Sequence, residues 1–355
     1  MMRSMTIGLA LAGLTAGCGA QQEANAPATD APPSADAPAV VAEFTPEERA
    51  FRDWRAVCDN AGRCSAYGAN GLSTGWIILS RDAGAEAPLR VVAGQAAWDE
   101  EEAGAPPRLT LDGRAIQLPR EPDRTLALAR DLAQGRTLSI GVNDQAVEVS
   151  LAGAAAALLW IDERQGRLGT PGTVKRPGDA AADGVPGPAP LPVVTAVRAP
   201  AQTGIPQSGL TLPPPLQRLP EVRACLDELW PGAEPIHSAA HLSDGVYLWG
   251  VECFRGAYNL GQRFWITGED GADPRPANLP TASGEATNEL VNAAFDPASG
   301  TLDAFARGRG LGDCGVIQEW AWTGQAFVLT REVSMPECAG MSAEHWPALY
   351  RTRER

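Results

Sequence analysis

Seven cysteines constrain this chain more than any other feature of its sequence. Cys18 lies alone near the N-terminus, and the other six are divided between the two halves of the chain. Cys58 and Cys64 flank the turn-forming run 59–62, so we predict that they form a disulfide. A zinc site is the competing interpretation, but the sequence has no CxxC motif or Cys/His cluster to support it. Nearest-neighbour pairing is the first choice for the remaining four, and their other connectivities stay open: Cys225, Cys253, Cys314 and Cys338.

The first 18 residues have the layout of an export signal. Arg3 precedes an apolar run at 5–14, and small residues follow it. That run is too short for a permanent membrane-spanning helix, which takes about 20 residues. Residues 14–18, Leu-Thr-Ala-Gly-Cys, resemble the lipobox of bacterial lipoproteins. We therefore predict a signal peptide at 1–17 and a lipid on Cys18 that anchors the chain in the cell envelope, facing the periplasm. Gly19 stands where an inner-membrane retention signal would have Asp, which favours the outer membrane.

Charge and composition exclude some functions. Residues 18–43 are rich in Ala, Pro and Asp and have no hydrophobic period, so we predict a disordered tether. The formal net charge of −14 makes nucleic-acid binding an improbable main function, because a chain this acidic repels phosphate backbones. The acidic side chains are scattered, which is typical of a solubilising surface.

Two folded regions are predicted on either side of a Pro/Gly-rich linker. The first covers residues 44–165 and the second covers residues 220–355. Between them, the predicted linker at 166–219 lacks any hydrophobic period, and residues 166–220 hold twelve of the thirty prolines.

Short strands and turns dominate the predicted elements. In the first region we expect strands at 51–58, 76–79 and 89–93, and a short helix at 126–132. We also expect hairpins at 108–118 and 137–149 that turn at Asp112-Gly113 and Asn143-Asp144, and a helix at 151–164 capped by Ser150. In the second region we expect a helix at 221–230, followed by antiparallel strands at 245–252, 263–267, 293–296, 301–307, 316–323 and 326–332. The predicted fold class is therefore mainly β with a few helices.

Several blocks of residues resemble one family in order. They are FRDWRAVCDNAGRCSAYG at 51–68, LSRDAG at 79–84, ALLWIDERQGRLGTPG at 157–172, RGLGDCG at 309–315, EWAWTGQAFVLT at 319–330 and WPALYR at 346–351. Together they resemble the DUF1176 family of bacterial proteins of unknown function, over nearly all of the chain from Phe44. The first half is also similar to the invasion-associated locus B proteins, which share the Phe-x-Asp-Trp opening and the closing hairpin and helix. This similarity implies a β-sandwich-like first domain and an envelope setting, and neither family implies a catalytic residue set.

Motifs for catalysis are missing from the sequence. The sequence has no SxxK, P-loop or HExxH pattern, and the GxSxG match at 71–75 is followed by the predicted strand at 76–79 rather than by a helix. His237 and His241 have a spacing that could present two metal ligands on one face, but no carboxylate accompanies them in a familiar arrangement. We therefore predict no metal, no cofactor and no enzymatic activity.

The glycine-rich run 308–315 is the most specific candidate for a functional loop. It lies between strands and opens no helix, so it lacks the geometry of a phosphate-binding loop. One hypothesis is a disulfide-fixed recognition loop; the alternative is a purely structural loop. The predicted recognition site has Arg309 and Asp313 as polar groups and Tyr258, Trp320 and Trp322 as an aromatic floor.

These observations lead to three functional hypotheses. The first is a non-catalytic binding or scaffold module displayed in the envelope on its lipid tether. The second is a hydrolase acting on envelope polymers, and the third is an inhibitor of such a hydrolase. The expected partner is an envelope protein or polymer.

Overall fold

Nine strands and two helices form the first half of the structure. The computed structural model describes residues 43–70, 74–95, 107–142, 145–200 and 206–353. Five antiparallel strands form one sheet in sequence order: β1 (Glu47–Phe51), β2 (Trp54–Cys58), β3 (Cys64–Asn70), β4 (Gly75–Arg81) and β5 (Arg90–Gln95). A four-stranded sheet contains β6 (Arg108–Leu111), β7 (Arg114–Ile116), β8 (Thr137–Val142) and β9 (Gln145–Ser150), in the order β7-β6-β8-β9. Helices α1 (Pro122–Leu132) and α2 (Ala154–Arg164) complete this half.

Both sheets and both helices share one hydrophobic core. Trp54 and Ile77 come from the first sheet, Ile140 from the second, and Leu132 and Leu158 from the two helices, and all five side chains are fully buried. This arrangement agrees with the sandwich-like first half that the resemblance implies. The hairpin turn at Asp112-Gly113 is also confirmed, since β6 and β7 pair directly across it.

Two local predictions are wrong because one tertiary contact overrides the sequence pattern. The predicted strand at 51–58 is two strands joined by a tight turn, in which Arg52 has a φ of 56°. Gly153 lies against this turn so closely that a Cβ there would be 1.7 Å from the Phe51 carbonyl oxygen. Helix α2 therefore begins at Ala154 with Gly153 as its N-cap, and the hydroxyl of Ser150 instead accepts a hydrogen bond from the Ala152 N–H.

The second half begins with two short helices and continues as antiparallel strands. The helices are α3 (Pro214–Gln217) and α4 (Pro220–Asp227). One sheet contains, in order, β10 (Gln207–Ser208), β11 (Ile236–Ser243), β12 (Val246–Arg255), β13 (Leu260–Thr267) and β14 (Arg275–Pro276), and β17 (Glu289–Val291) also pairs with β13. A separate two-stranded sheet contains β15 (Leu279–Pro280) and β16 (Ala286–Thr287), which lie between β14 and β17 in the sequence. The last sheet contains β18 (Ala294–Asp296), β19 (Thr301–Arg307), β20 (Gly315–Trp322), β21 (Phe327–Met335) and β22 (Ala348–Arg351) in sequence order.

The two halves share a hydrophobic cluster. Val57, Tyr67 and Ile78 of the first sheet pack with Val333 and Trp346 of the second half, and all five are buried. Strands β2 to β4 are therefore buried on both faces, which explains their nearly continuous runs of buried residues. The described chain from Glu43 onward lies in one compact unit, Val40–Arg355.

Parts of the predicted linker are packed against the body. Arg167 is fully buried, and Leu212 and Leu216 lie in a cluster with helix α4. Between these two sites in the sequence, the Ala189 N–H donates to the carbonyl of Ala61 and the Val197 N–H donates to the carbonyl of Trp322. The segment at 166–200 therefore contacts both halves, while the domain boundaries drawn from the sequence stay a prediction.

The predicted fold class is confirmed, since the structure is mainly β with several antiparallel sheets. The three nearest-neighbour disulfides are also confirmed: Cys58–Cys64, Cys225–Cys253 and Cys314–Cys338. The signal peptide at 1–17, the tether up to residue 42 and the turn at Asn143-Asp144 lie outside the described residues. Among the described helices, none combines the length and apolar character that crossing a membrane would take.

Candidate functional site

The glycine-rich loop lies between β19 and β20 and is fixed by the Cys314–Cys338 disulfide. Its neighbour is the end of the β12–β13 hairpin. The Tyr258 hydroxyl donates to the Gly308 carbonyl at 3.3 Å, and the Asn259 amide donates to the Arg307 carbonyl at 3.0 Å. Gly308 faces the disulfide so closely that a Cβ there would lie 2.7 Å from the Cys314 Sγ. We call this assembly, residues 254–260 with residues 307–314, the stapled tip.

Arg309 and Asp313 bind each other within the stapled tip. The Arg309 Nε donates to Asp313 Oδ1 at 2.7 Å, and its Nη2 donates to Oδ2 at 2.5 Å. The Gly340 N–H also donates to Asp313 Oδ2. Burial raises the pKa of Asp313, but these hydrogen bonds outweigh it and hold the pKa below its ordinary value. The two predicted polar groups therefore satisfy each other and fix the loop.

The predicted aromatic floor of the loop is wrong for two of its three residues. Trp320 and Trp322 lie in the core between the two sheets of the second half, where they are 0% and 1% exposed. They are two residues apart on β20, so both indole rings point to the same face of the strand. Tyr258, by contrast, is 41% exposed at the tip.

Exposed apolar side chains gather at the stapled tip. Leu311 is 63% exposed and Phe254 is 40% exposed. With Tyr258 they are three of the eight large hydrophobic residues that are exposed in the described part of the chain. The Arg307 guanidinium lies 5.3 Å above the Phe305 ring and has no ion-pair partner among the described residues. The tip therefore presents exposed apolar side chains and a guanidinium that has no ion-pair partner among the described residues.

The described residues offer no convincing metal site. His237 and His241 lie on strand β11, where a spacing of four residues separates side chains by about 13 Å. The His237 Nδ1 accepts a hydrogen bond from the Glu252 N–H, and the His241 ring stacks on Tyr247. Burial lowers the pKa of His237. Asp313 lies beside Cys314 and Cys338, but both sulfurs are in the disulfide and cannot act as thiolate ligands.

A serine, a carboxylate and a histidine meet near the C-terminus without forming a nucleophile–base pair. The Ser342 hydroxyl donates to Glu344 Oε1 at 3.1 Å, rather than to a histidine nitrogen. The His345 Nε2 is 3.8 Å from the same carboxylate oxygen, and its ring packs on Trp76 with 5.2 Å between ring centroids. A serine hydrolase requires the hydroxyl to bond to the base, so this arrangement supplies no activated nucleophile.

The family-like blocks meet at structural junctions. Asp59 is fully buried and accepts hydrogen bonds from the Ala61 and Arg63 N–H groups and from the Arg351 guanidinium. The side chain of Asn60 pairs with the backbone of Arg351 in both directions, at 3.0 Å each. The turn closed by Cys58–Cys64 therefore docks on β22, although 291 residues separate Asn60 from Arg351.

A second junction buries charged groups inside the first half. The Arg167 side chain donates to the carbonyls of Asp82 and Gly84. Asp162 accepts hydrogen bonds from the Val174 and Lys175 N–H groups. Burial nevertheless raises the pKa of Asp162 to about 6 and lowers that of Arg167 to about 10. These buried groups hold loops in place and are closed to solvent.

A large groove between the two halves is the site that the sequence did not indicate. Its volume is about 1450 Å³, and it is lined by the first sheet, the last sheet and the extended segment at 191–198. Six arginines and three carboxylates line it. Its residues are scattered from Arg63 to Arg353, so no local motif could have revealed it.

These features define a mainly β, disulfide-stapled protein without recognisable catalytic chemistry among its described residues. A family model described as "Protein of unknown function (DUF1176)" matches residues 48–353, and the chain belongs to this family. It is 33% identical over 332 residues to the uncharacterized protein YpfG of Escherichia coli (strain K12), covering 87% of this chain and 94% of that protein. No solved structure matches the chain.

Proposed function

We propose that this chain is a non-catalytic binding module of the bacterial envelope, lipid-anchored through Cys18, whose stapled tip contacts a partner protein. The signal-like segment at 1–18 supports export and lipidation. Three disulfides support an oxidising compartment outside the cytoplasm. The similarity of the first half to invasion-associated locus B proteins supports the same envelope setting. Gly19, which stands where an inner-membrane retention signal would have Asp, favours the outer membrane.

The concentration of exposed apolar groups at the tip carries the proposal. Leu311 lies on the loop next to the Cys314–Cys338 disulfide, Tyr258 lies in the turn between β12 and β13 and its hydroxyl bonds to the Gly308 carbonyl, and Phe254 lies near the end of strand β12. These links restrain the tip. A rigid surface loses little conformational entropy on binding, so its exposed apolar area contributes to affinity with a small ordering cost. The guanidinium of Arg307, which has no ion-pair partner among the described residues, could bind a carboxylate on the partner protein. The partner surface is therefore apolar and bordered by an acidic residue.

Site-specific photo-crosslinking in intact cells tests this proposal. A benzophenone amino acid replaces Leu311 in the tip, and a control chain carries it at Leu168, an exposed apolar position in the segment at 166–200. We expect a discrete protein adduct from position 311 and none from position 168, and we expect R307S to weaken the adduct. Equal adducts at both positions, or none at 311, would contradict the proposal.

A further inference from the structure

The groove between the two halves concentrates positive charge in an acidic chain. Its lining includes six arginines against three carboxylates, and Asp59 and Asp82 pair with three of those arginines, so an excess of one positive charge remains where the whole chain has a net charge of −14. Such a local excess of one sign attracts ligands of the opposite charge. This site is separate from the stapled tip, because none of the tip residues lines the groove.

Three of these arginines converge on a single carboxylate, Asp82. The Arg90 Nη1 lies 3.0 Å from Asp82 Oδ2, while the Arg63 Nε and the Arg351 Nη2 lie 3.9 and 3.8 Å from Oδ1. Arg351 also binds Asp59. One carboxylate cannot saturate three guanidinium groups, each of which has five N–H donors. Arg63 and Arg90, whose side chains are 39% and 52% exposed, therefore keep unused donors that face solvent.

Two further arginines of the groove have no carboxylate partner among the described residues. They are Arg198, on the extended segment, and Arg353, just after β22. Both are accessible to solvent at the groove surface. Arg331, in contrast, is paired with Glu319 at 2.8 Å. Arginines without a carboxylate partner therefore come from two further segments of the groove lining.

One wall of the groove is a stretch of the chain without regular secondary structure. The segment at 191–198 supplies four lining residues, and hydrogen bonds from the Ala189 N–H to the Ala61 carbonyl and from the Val197 N–H to the Trp322 carbonyl attach this stretch to both halves. Small and aliphatic side chains, such as Val92, Val194 and Ala196, line the space between the arginines. Such a surface suits the alternating side chains of a peptide, because apolar groups and carboxylates would face different parts of the lining.

We propose that this groove binds an extended acidic segment of a partner protein, whose carboxylates bond to Arg63 and Arg90. The carboxylate of Asp82 already pairs with the guanidinium groups of Arg63 and Arg90. It therefore competes with the ligand for the N–H donors of these arginines. Bidentate arginine–carboxylate pairs supply both affinity and orientation.

Fluorescence anisotropy with a labelled peptide of alternating Asp and Ala residues tests the proposal on the purified chain. We expect R63Q/R90Q to raise the Kd by about tenfold or more, because it removes two charge-assisted contacts. D82N should have the opposite effect and lower the Kd, because it frees the guanidinium groups. The matched control is R108Q/R124Q, which changes the charge equally at two exposed arginines of the same half outside the groove.

Each result of this experiment decides the proposal. An equal loss of affinity in R108Q/R124Q would reduce the binding to general charge attraction and overturn it. A Kd that D82N leaves unchanged or raises would refute competition by Asp82. Labelled polyphosphate is the second probe, and tighter binding of polyphosphate with the same arginine dependence would replace the peptide with a phosphate polymer. The crosslink from position 311 should persist in R63Q/R90Q, so the two sites are tested separately.

Discussion

The ion pair between Asp59 and Arg351 should stabilise the contact between the two halves of the chain. Asp59 is 0% exposed, and the Arg351 side chain is 30% exposed. Besides Arg351, Asp59 accepts hydrogen bonds from two backbone N–H groups of its own turn. The pair therefore joins the turn closed by Cys58–Cys64 to the last strand of the second half.

The cost of breaking this pair follows from which partner is removed. Losing one partner of a buried pair costs about 3–5 kcal/mol, and we place R351A near 2–3 kcal/mol because Asp59 keeps two backbone donors and Arg351 is partly exposed. D59A should cost about 3–4 kcal/mol, because it leaves those two N–H groups buried without an acceptor. The two effects share one contact, so the double-mutant coupling energy should be about 2 kcal/mol.

Urea unfolding of the four chains of the cycle measures this coupling energy. The matched control is the Arg114–Asp131 pair, whose side chains are 68% and 52% exposed and whose coupling should be about 0–0.5 kcal/mol. A coupling for Asp59 and Arg351 no larger than that of the control would refute the argument. It would mean that the turn docks on β22 through the Asn60 amide and hydrophobic packing alone.

Three further predictions address the anchor, the tip and the buried carboxyl. Growth with radiolabelled fatty acid should label the wild-type chain but not C18S, and label persisting in C18S would end the lipoprotein proposal. C314S/C338S, which opens a loop with a sequence separation of 24, should lower the unfolding free energy by about 3–4 kcal/mol in urea titrations, and a loss below about 1 kcal/mol would contradict the stapling argument. Burial raises the pKa of Asp162 from an ordinary 3.8 to about 6, so the folded chain retains a proton that the unfolded chain releases, and stability should fall as pH rises through that window. D162N should lack this fall when unfolding is compared from pH 4 to 7, and parallel pH profiles of the two chains would refute the assignment.

Local patterns in the sequence were sufficient wherever the structure depends on neighbouring residues. The turn at Asp112-Gly113 follows from two residues suited to the turn between alternating strands. The three disulfides join cysteines that are neighbours in the sequence, and each connects elements that are close along the chain, such as helix α4 and strand β12, which only β11 separates. The mainly β class followed from the same short-range signals.

Some predictions failed where a distant segment decides the local conformation. Helix α2 begins after Gly153 because that glycine lies against the turn at Arg52, a hundred residues earlier. Strand β11 was not predicted, since its run of Ser, Ala and His lacks a strong strand pattern and its pairing with β12 stabilises it. Trp320 and Trp322 are two residues apart and therefore share one face of β20. Only the packing of the two sheets of the second half shows that this face is in the core.

The sequence by itself determined the Cys58–Cys64 disulfide, the strand-rich class, the family resemblance and the signal-like N-terminus, because each of these is encoded in short runs of residues. The pairing of the other four cysteines stayed a first choice among alternatives until the structure showed it. Tertiary structure alone decided how the two halves meet. Asn60 and Arg351 pair across 291 residues, and Asp82 gathers arginines from three separate segments. Charges in such positions carry no local signature, because their partners are chosen by the packing of whole sheets. The groove and its arginines therefore became visible only in the folded chain.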